Sequence, residues 1–493
     1  MAAVDTNSIS LAICKESTPG VIPTSGALAE YLEPNGIPDF GGSITTTARA
    51  PISVNRQQRK GTITDFSSTV SVEQDLTVSS FLAVIDGVVL SEWQGVPALK
   101  NATITADTVT LEEALDFDLP VGTLLYFTGF QDNIGLKKLT TAFTKGGTSL
   151  SVSGLTAEST TGTVFVVGYE AASDDLRSGA NTLTSTTLDF TTLPLFKGAA
   201  VYVGGDTASN AFDTGISGLA RIREVTDHTL YLDKLDAAGA EDAGTGKAIR
   251  IFFGQFLRNV PVSDELFKEH SYSMQVTYPG IVDKGSSTPA DGYEYSYGNK
   301  INTVEIGMSV NDKATLNFTT FGTDTDPVTE TSKGWEISNP KFTEAFSTPS
   351  DFLRLRIQGA DEEGLTSFFK DTTISINNNI SAENVLAKLG PAFTNLGMLQ
   401  VSLSGNIVFT NPKVTEKIRN NCTCSADLCL SNNDGSIYLD LPRITLSDGS
   451  KDFAVNEKVK LSLTGESFVD DEFDYSVGFT FFPYLPTTKA TTC

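Results

Sequence analysis

One pattern occurs twice in this chain. VNDKATLNFTT begins at Val310 and VNEKVKLSLTG at Val455; Val, Asn, Lys, Leu and Thr recur in place, and Asp312 is exchanged for Glu457. Before the first copy, Val304, Ile306, Met308 and Val310 alternate with Glu305, Gly307 and Ser309; an Asn-Asp pair then marks a turn, and Leu316 and Phe318 resume the alternation. Strand side chains point to opposite faces with a period of two, so this segment reads as a long two-stranded hairpin. SIYLDLPRITLSD and AVNEKVKLSLTGESF form a second hairpin around the other copy.

The surroundings repeat too. LTVSSFLAVIDGVVL places Val78, Phe81, Leu82 and Ile85 on one face of a short helix behind Thr77, a capping residue, and PKVTEKIRNN is a second short helix. Period-two strands precede each helix: Ile63, Val70 and Val72 among Thr and Ser in the first case, TTISINNNI and GMLQVSLSGNIVFT in the second. DYSVGFTFFPYL closes the chain as a last strand. Strands, one helix and a long hairpin in the same order describe a duplicated β domain.

At 493 residues the chain exceeds one hydrophobic core, since cores stop growing near about 250–300 residues. Between the first helix and the first hairpin lies a second echo. The stretches from Val121 and from Lys197 each carry a Gly-led apolar strand, a polar Gly-containing loop, an amphipathic strand, a turn and a strand ending in Leu. The expected fold is mainly β: two tandem sandwich or barrel domains, each with a short helix and long hairpin, plus inserted small β-barrel-like modules. The expected division is an arm over 1–40, the first domain over 41–104 and 258–330, the inserted modules over 105–257, and the second domain over 331–493. The arm contains a short helical run, SGALAEYLEP, and is expected to order only against a partner. The insertion is expected to be replaceable by a short linker without loss of assembly.

The chemistry is sparse. Sixty acidic residues against 35 basic ones give a net charge of −25, the opposite of a nucleic-acid binder. His228 and His270 are the whole histidine complement, too little for a triad, a multi-histidine metal site or an acid/base relay. His228 sits in a strand turn, where a surface role is expected. Cys14, Cys422, Cys424, Cys429 and Cys493 are an odd number without paired spacing, so a reducing cytoplasm is the simpler site of synthesis. CTCSADLC lacks the second cluster a zinc site needs and is expected to be a helix-end loop with free thiols. GTGK at Gly244–Lys247 fails as a phosphate loop: Glu241 stands where Gly is required, Ala248 where Ser or Thr is, and a strand follows. The acidic runs near Asp324 and Asp470 lack a calcium-loop ligand set. No signal peptide or membrane span is expected. No catalytic residue, metal ligand or cofactor is assigned.

The stretch YLEPNGIPDFGGSITTTARAPISVNRQQRKGTITDFSSTVSVEQDLT resembles the N-terminal signature of long-tailed bacteriophage tail tube proteins, also called major tail proteins. In that family an arm leads to an Arg-rich, Gly-broken hairpin and an acidic DLT before a helix, here Asp75, Leu76 and Thr77. GLARIREVTDHTLYLDKL, IRIFFGQFLRN and YGNKINTVEIGMSVNDKATLNFTTFG are similar to further segments of the family, so the resemblance covers most of residues 25–325. The second half joins it through the duplication.

The resemblance implies a structural virion protein. Family subunits close hairpins into an inner β-barrel ring, and rings stack around a tape measure protein. The tube meets tail terminator and distal tail proteins, and DNA passes without being bound. Assembly would take place in the host cytoplasm, away from any membrane. Family rings present six tube domains, so two per chain imply a homotrimer with pseudo-sixfold symmetry. Strand alternation turns Val304, Ile306, Met308, Leu316, Phe318, Val459, Leu461 and Leu463 to the core. It leaves Glu305, Ser309, Asn317, Lys458, Lys460 and Ser462 for the lumen, where nearby acids must outweigh the two lysines. The rival reading is a β-rich adhesin or glycan-binding module array, favoured by the inserted modules; an enzyme comes third.

Overall fold

The structure is a computed structural model that describes residues 4–52, 54, 56–236, 239–281, 290–339, 343–359, 364–366 and 368–486. The first half contributes strands β1 (Ser10–Lys15), β2 (Leu28–Leu32), β3 (Pro34–Asp39), β4 (Gly42–Arg49) and β5 (Arg59–Asp75), helix α1 (Val78–Val89), and strands β6 (Gln255–Arg258), β7 (Tyr272–Ile281), β8 (Ala290–Ser309) and β9 (Thr315–Gly322). The second half contributes β10 (Phe352–Gly359), β11 (Phe369–Asn377), β12 (Gln400–Val408), helix α2 (Pro412–Arg419), β13 (Thr423–Asn432), β14 (Gly435–Asp452), β15 (Lys460–Ser467) and β16 (Gly478–Phe482).

The duplication extends to individual pairings. Gly307 lies opposite Thr315 in the first hairpin and Asp452 opposite Lys460 in the second, each pair moved by the spacing of the sequence repeat. Tyr272–Asn299 and Met274–Ser296, with a bulge between them, recur as Cys424–Ile444 and Ala426–Leu441, with a bulge at the same place. Thr315–Asp75 recurs as Lys460–Val408. Pro34–Gln74 and Gly36–Glu73 recur as Phe369–Ile407 and Asp371–Asn406, again with a matched irregularity. Strand β1 on β7 has its counterpart in β10 on β13. Each half therefore has an outer sheet (β1, β7 and the start of β8; β10, β13 and the start of β14). It also has an inner sheet (β3/β4, β5, β9 and the end of β8; β11, β12, β15 and the end of β14). The long strands β8 and β14 pass from one sheet to the other.

The two inner sheets are one. The end of β8 pairs antiparallel with β11 from Thr303–Asn377 to Ser309–Asp371, so eight inner positions run without a break from β3/β4 to β14. Val304, Ile306, Met308, Leu316 and Phe318 from the first half share a core with Leu461 and Leu463 from the second. Phe81, Val84, Ile85 and Val88 of α1 pack into the same core. Thr77 caps α1 by accepting from the Ser80 amide, and Ser80 returns the bond in a capping box; Asn411 caps α2.

Residues 99–252 form a separate 12-stranded sheet with their own core. The two echoing modules are joined edge to edge where Gly168–Glu170 pairs with Arg250–Phe252.

Three expectations are corrected. SGALAEYLEP is not helical: Leu28–Leu32 is strand β2, which pairs with β1 and with Glu336–Ile337. Its apolar residues fit a helix as well as a strand, and the open edge of β1 decides in favour of the strand. The start of the arm also orders within the chain, since Leu11, Ala12 and Ile13 of β1 are buried between β2 and β7. Cys424 and Cys429 are buried on β13 rather than in a helix-end loop.

Candidate functional site

The inner sheet buries one face and presents the other to solvent. One rung on the open face crosses six strands through successive cross-strand partners: Glu73, Asn317, Glu305, Ser375, Ser402 and Glu466. A second rung runs through Ser309, Asp371, Asn406 and Ser462. There Asn406 Nδ2 donates to Asp371 Oδ1 at 3.1 Å and Ser462 Oγ donates to Asn406 Oδ1 at 3.1 Å. Beyond the first rung, on the side away from the second, Thr303 and Thr319 join their hydroxyls at 2.6 Å. Short hydroxyl and amide side chains that bond across strands make this a level, hydrated surface.

Of the residues singled out from the sequence, Glu305, Ser309, Asn317, Lys460 and Ser462 sit on this face. Lys458 does not lie on a strand; it is exposed in the turn before β15, where alternation assigns no face. Val459 is half-buried in that turn, and Val310, at the other turn, is exposed. Lys460 is paired with Glu457 at 2.5 Å, and Lys313 with Asp75 at 2.6 Å. Within the two rungs the charged side chains are Glu73, Glu305, Asp371 and Glu466, so the rungs are negative. The contributions of β5, β11 and β12 were missed although SSTVSVEQD, TTISIN and VSLSGN carry the same alternation.

Behind the core, the outer sheets face away from this surface, and each has a cover. On the second half, Asp440 and Asp427 are cross-strand neighbours, each about 1% exposed. Asp440 accepts from Lys234 Nζ at 2.6 Å, Arg221 Nη1 at 2.9 Å and the Tyr475 hydroxyl at 2.8 Å. Arg354 and Arg356 both pair with Asp427 and reach on to the backbone carbonyls of Leu219, Lys234 and Leu235. Lys234 and Arg221 belong to the inserted modules, so this network fastens the insertion to the second outer sheet. Burial opposes ionisation of Asp440, but Lys234 and Arg221 prevail and hold its carboxyl down at about 2. At Asp427 burial prevails over Arg354 and the pKa rises. The equivalent pair in the first half is Gln275 and Tyr295. Its cover is the N-terminal segment: Tyr295 packs edge-on to Trp335, whose Nε1 donates to Pro23 O at 2.8 Å.

His228 is exposed in its turn, with Nδ1 3.0 Å from Leu188 O. Lys247 of GTGK points to Asp213 and Ala211 O. Cys14, Cys422 and Cys429 are free thiols, and burial raises the Cys429 pKa; Cys493 lies outside the described residues. Among the described residues no helix is long and apolar enough to cross a membrane.

The sequence matches the model of a family described as phage tail tube protein over residues 6–474. No curated protein matches it.

Proposed function

The chain belongs to the phage tail tube protein family, a structural family and not one of enzymes, and from that premise we propose that three copies close a ring whose lumen is lined by the polar face of the inner sheet. The observation that carries the reading is the β8–β11 junction: two equivalent half-chains already stand side by side as neighbours in one continuous sheet. Three chains then supply six equivalent units, a homotrimer with pseudo-sixfold symmetry. Closing the sheet leaves no strand edge exposed.

On this reading Glu305, Ser309, Asn317, Lys460 and Ser462 face the channel, with Lys458 at the rim. The rung holding Glu73, Glu305 and Glu466 becomes a band of carboxylates repeated around the wall. Phosphates that bound the wall would stall, whereas like charge and a hydrated hydroxyl surface keep DNA moving during genome delivery. The insertion lies on the tube exterior, because its ionic attachment is on the sheet that faces away from the polar surface. Stacked rings would enclose a tape measure protein and end at tail terminator and distal tail proteins, with assembly in the host cytoplasm and the finished tube in the virion tail. The family match favours this reading over an adhesin or glycan-binding array.

Electron microscopy of the purified protein tests it. Rings or tubes with the Glu305 face inward support the reading; isolated compact particles at every concentration, or tubes with the inserted modules inside, overturn it.

A further inference from the structure

We infer, resting on the ring reading, that the joint between neighbouring copies is an antiparallel pairing of the end of β14 in one copy with β3 and β4 of the next, in the register that β8 and β11 use inside the chain. Among the described residues, the two outermost inner strands each pair on one side only: Ser447–Asp452 pair with β15 alone, and β3 and β4 pair with β5 alone. By the duplicated register, the end of β14 is the counterpart of the end of β8, and β3/β4 is the counterpart of β11. The internal junction therefore specifies the missing one. Thr303, which lies opposite Asn377, corresponds to Ser447, and Asn377 to Ser43. Gly307, which lies opposite Thr373, corresponds to Asp452, and Thr373 to Asp39. Ser447 of one copy should thus stand opposite Ser43 of the next, and Asp452 opposite Asp39.

The two joints differ in chemistry in the direction their tasks require. Inside the chain, Ile306 meets Ile374 in the core, and both are nearly inaccessible. At the free edge the matching position on β14 is Lys451, between Asp448 and Asp452. An open, flat, apolar edge would pair indiscriminately before assembly; charged side chains and the bulge between Asp448 and Lys451 suppress that. Asp452 opposite Asp39 adds like-charge repulsion, so closure of the ring should strengthen with added salt.

The test is a cysteine pair, Ser447→Cys with Ser43→Cys, oxidised in assembled tubes. Directly opposed strand residues are close enough for a disulfide. The expected result is a ladder of one, two and three linked chains on a non-reducing gel, absent from either single variant. As an in-chain control, Thr303→Cys with Asn377→Cys should close within single chains. A companion measurement on the unaltered protein is amide hydrogen exchange, in which residues 39–43 and 447–452 should gain protection on assembly. Tubes that form with neither the cross-link nor the protection overturn this joint and leave the ring standing. Protein that stays monomeric at high salt overturns the ring, and the joint with it.

Discussion

Lys234 Nζ lies 2.6 Å from Asp440 Oδ1, with side-chain exposures of 3% and 1%. The contact joins an inserted module to the second half of the chain across 206 residues of sequence, and losing one partner would leave a buried charge uncompensated. Asp440→Ala is expected to cost about 3–5 kcal/mol of stability in denaturant unfolding.

The same network bears on the insertion as a whole. Replacing 105–254 by a short linker would uncover Tyr438 and Phe482, which pack with Leu124, Val167 and Phe252 of the modules, and would strip Asp440 of Lys234 and Arg221. The structure thus opposes the free replacement expected from sequence. The linker variant should be recovered misfolded or aggregated, whereas a folded, assembling product would show that the second outer sheet stands without its cover.

Acid should loosen this attachment. Asp440 has its pKa depressed to about 2 by Lys234 and Arg221 against the cost of burial, so its contribution is present above the ordinary carboxylate pKa near 4 and is lost as pH falls toward 2. Asp427 has its pKa raised by burial; its protonated form suits the fold, and it offsets part of the loss. Between about pH 4 and 2 the stability of Asp440→Asn should therefore fall less steeply with acid than that of the parent chain, measured on the monomer.

The two faces of the inner sheet should respond differently to truncation. Ile374, 1% exposed at the junction of the halves, is expected to cost about 2–5 kcal/mol as Ile374→Ala. Its neighbour on the open face, Ser375, should change stability by no more than about 0.5 kcal/mol as Ser375→Ala. Equal losses at the two sites would mean that the polar face is covered within the monomer.

Much of the fold was legible because period-two alternation and turn chemistry are local. The hairpins, both helices and the duplication follow from them, and the buried set Val304, Ile306, Met308, Leu316 and Phe318 stands as alternation requires. What was not legible depends on distant partners. SGALAEYLEP has no local signal to choose strand over helix, because the edge of β1 that decides it is a tertiary feature. The network of Arg221, Lys234, Arg354, Arg356, Asp427 and Asp440 draws on strands and turns from opposite ends of the chain, and no spacing announces it. Alternation has no local signal for where a strand begins, and Lys458, like its counterpart Lys313, precedes its strand.

Charge on the open face should govern transit rather than assembly. Glu73→Lys with Glu305→Lys would reverse the sign of the longest rung, and particles built with this variant should form normal tubes yet release DNA more slowly, with the delay relieved by salt. Unchanged release at low salt would remove the proposed role of the wall.

The central claim, that one chain supplies two equivalent units of a six-unit ring, is tested most directly by the mass of a single isolated ring. The account predicts three chains of 52.6 kDa each; a ring of six chains would contradict it.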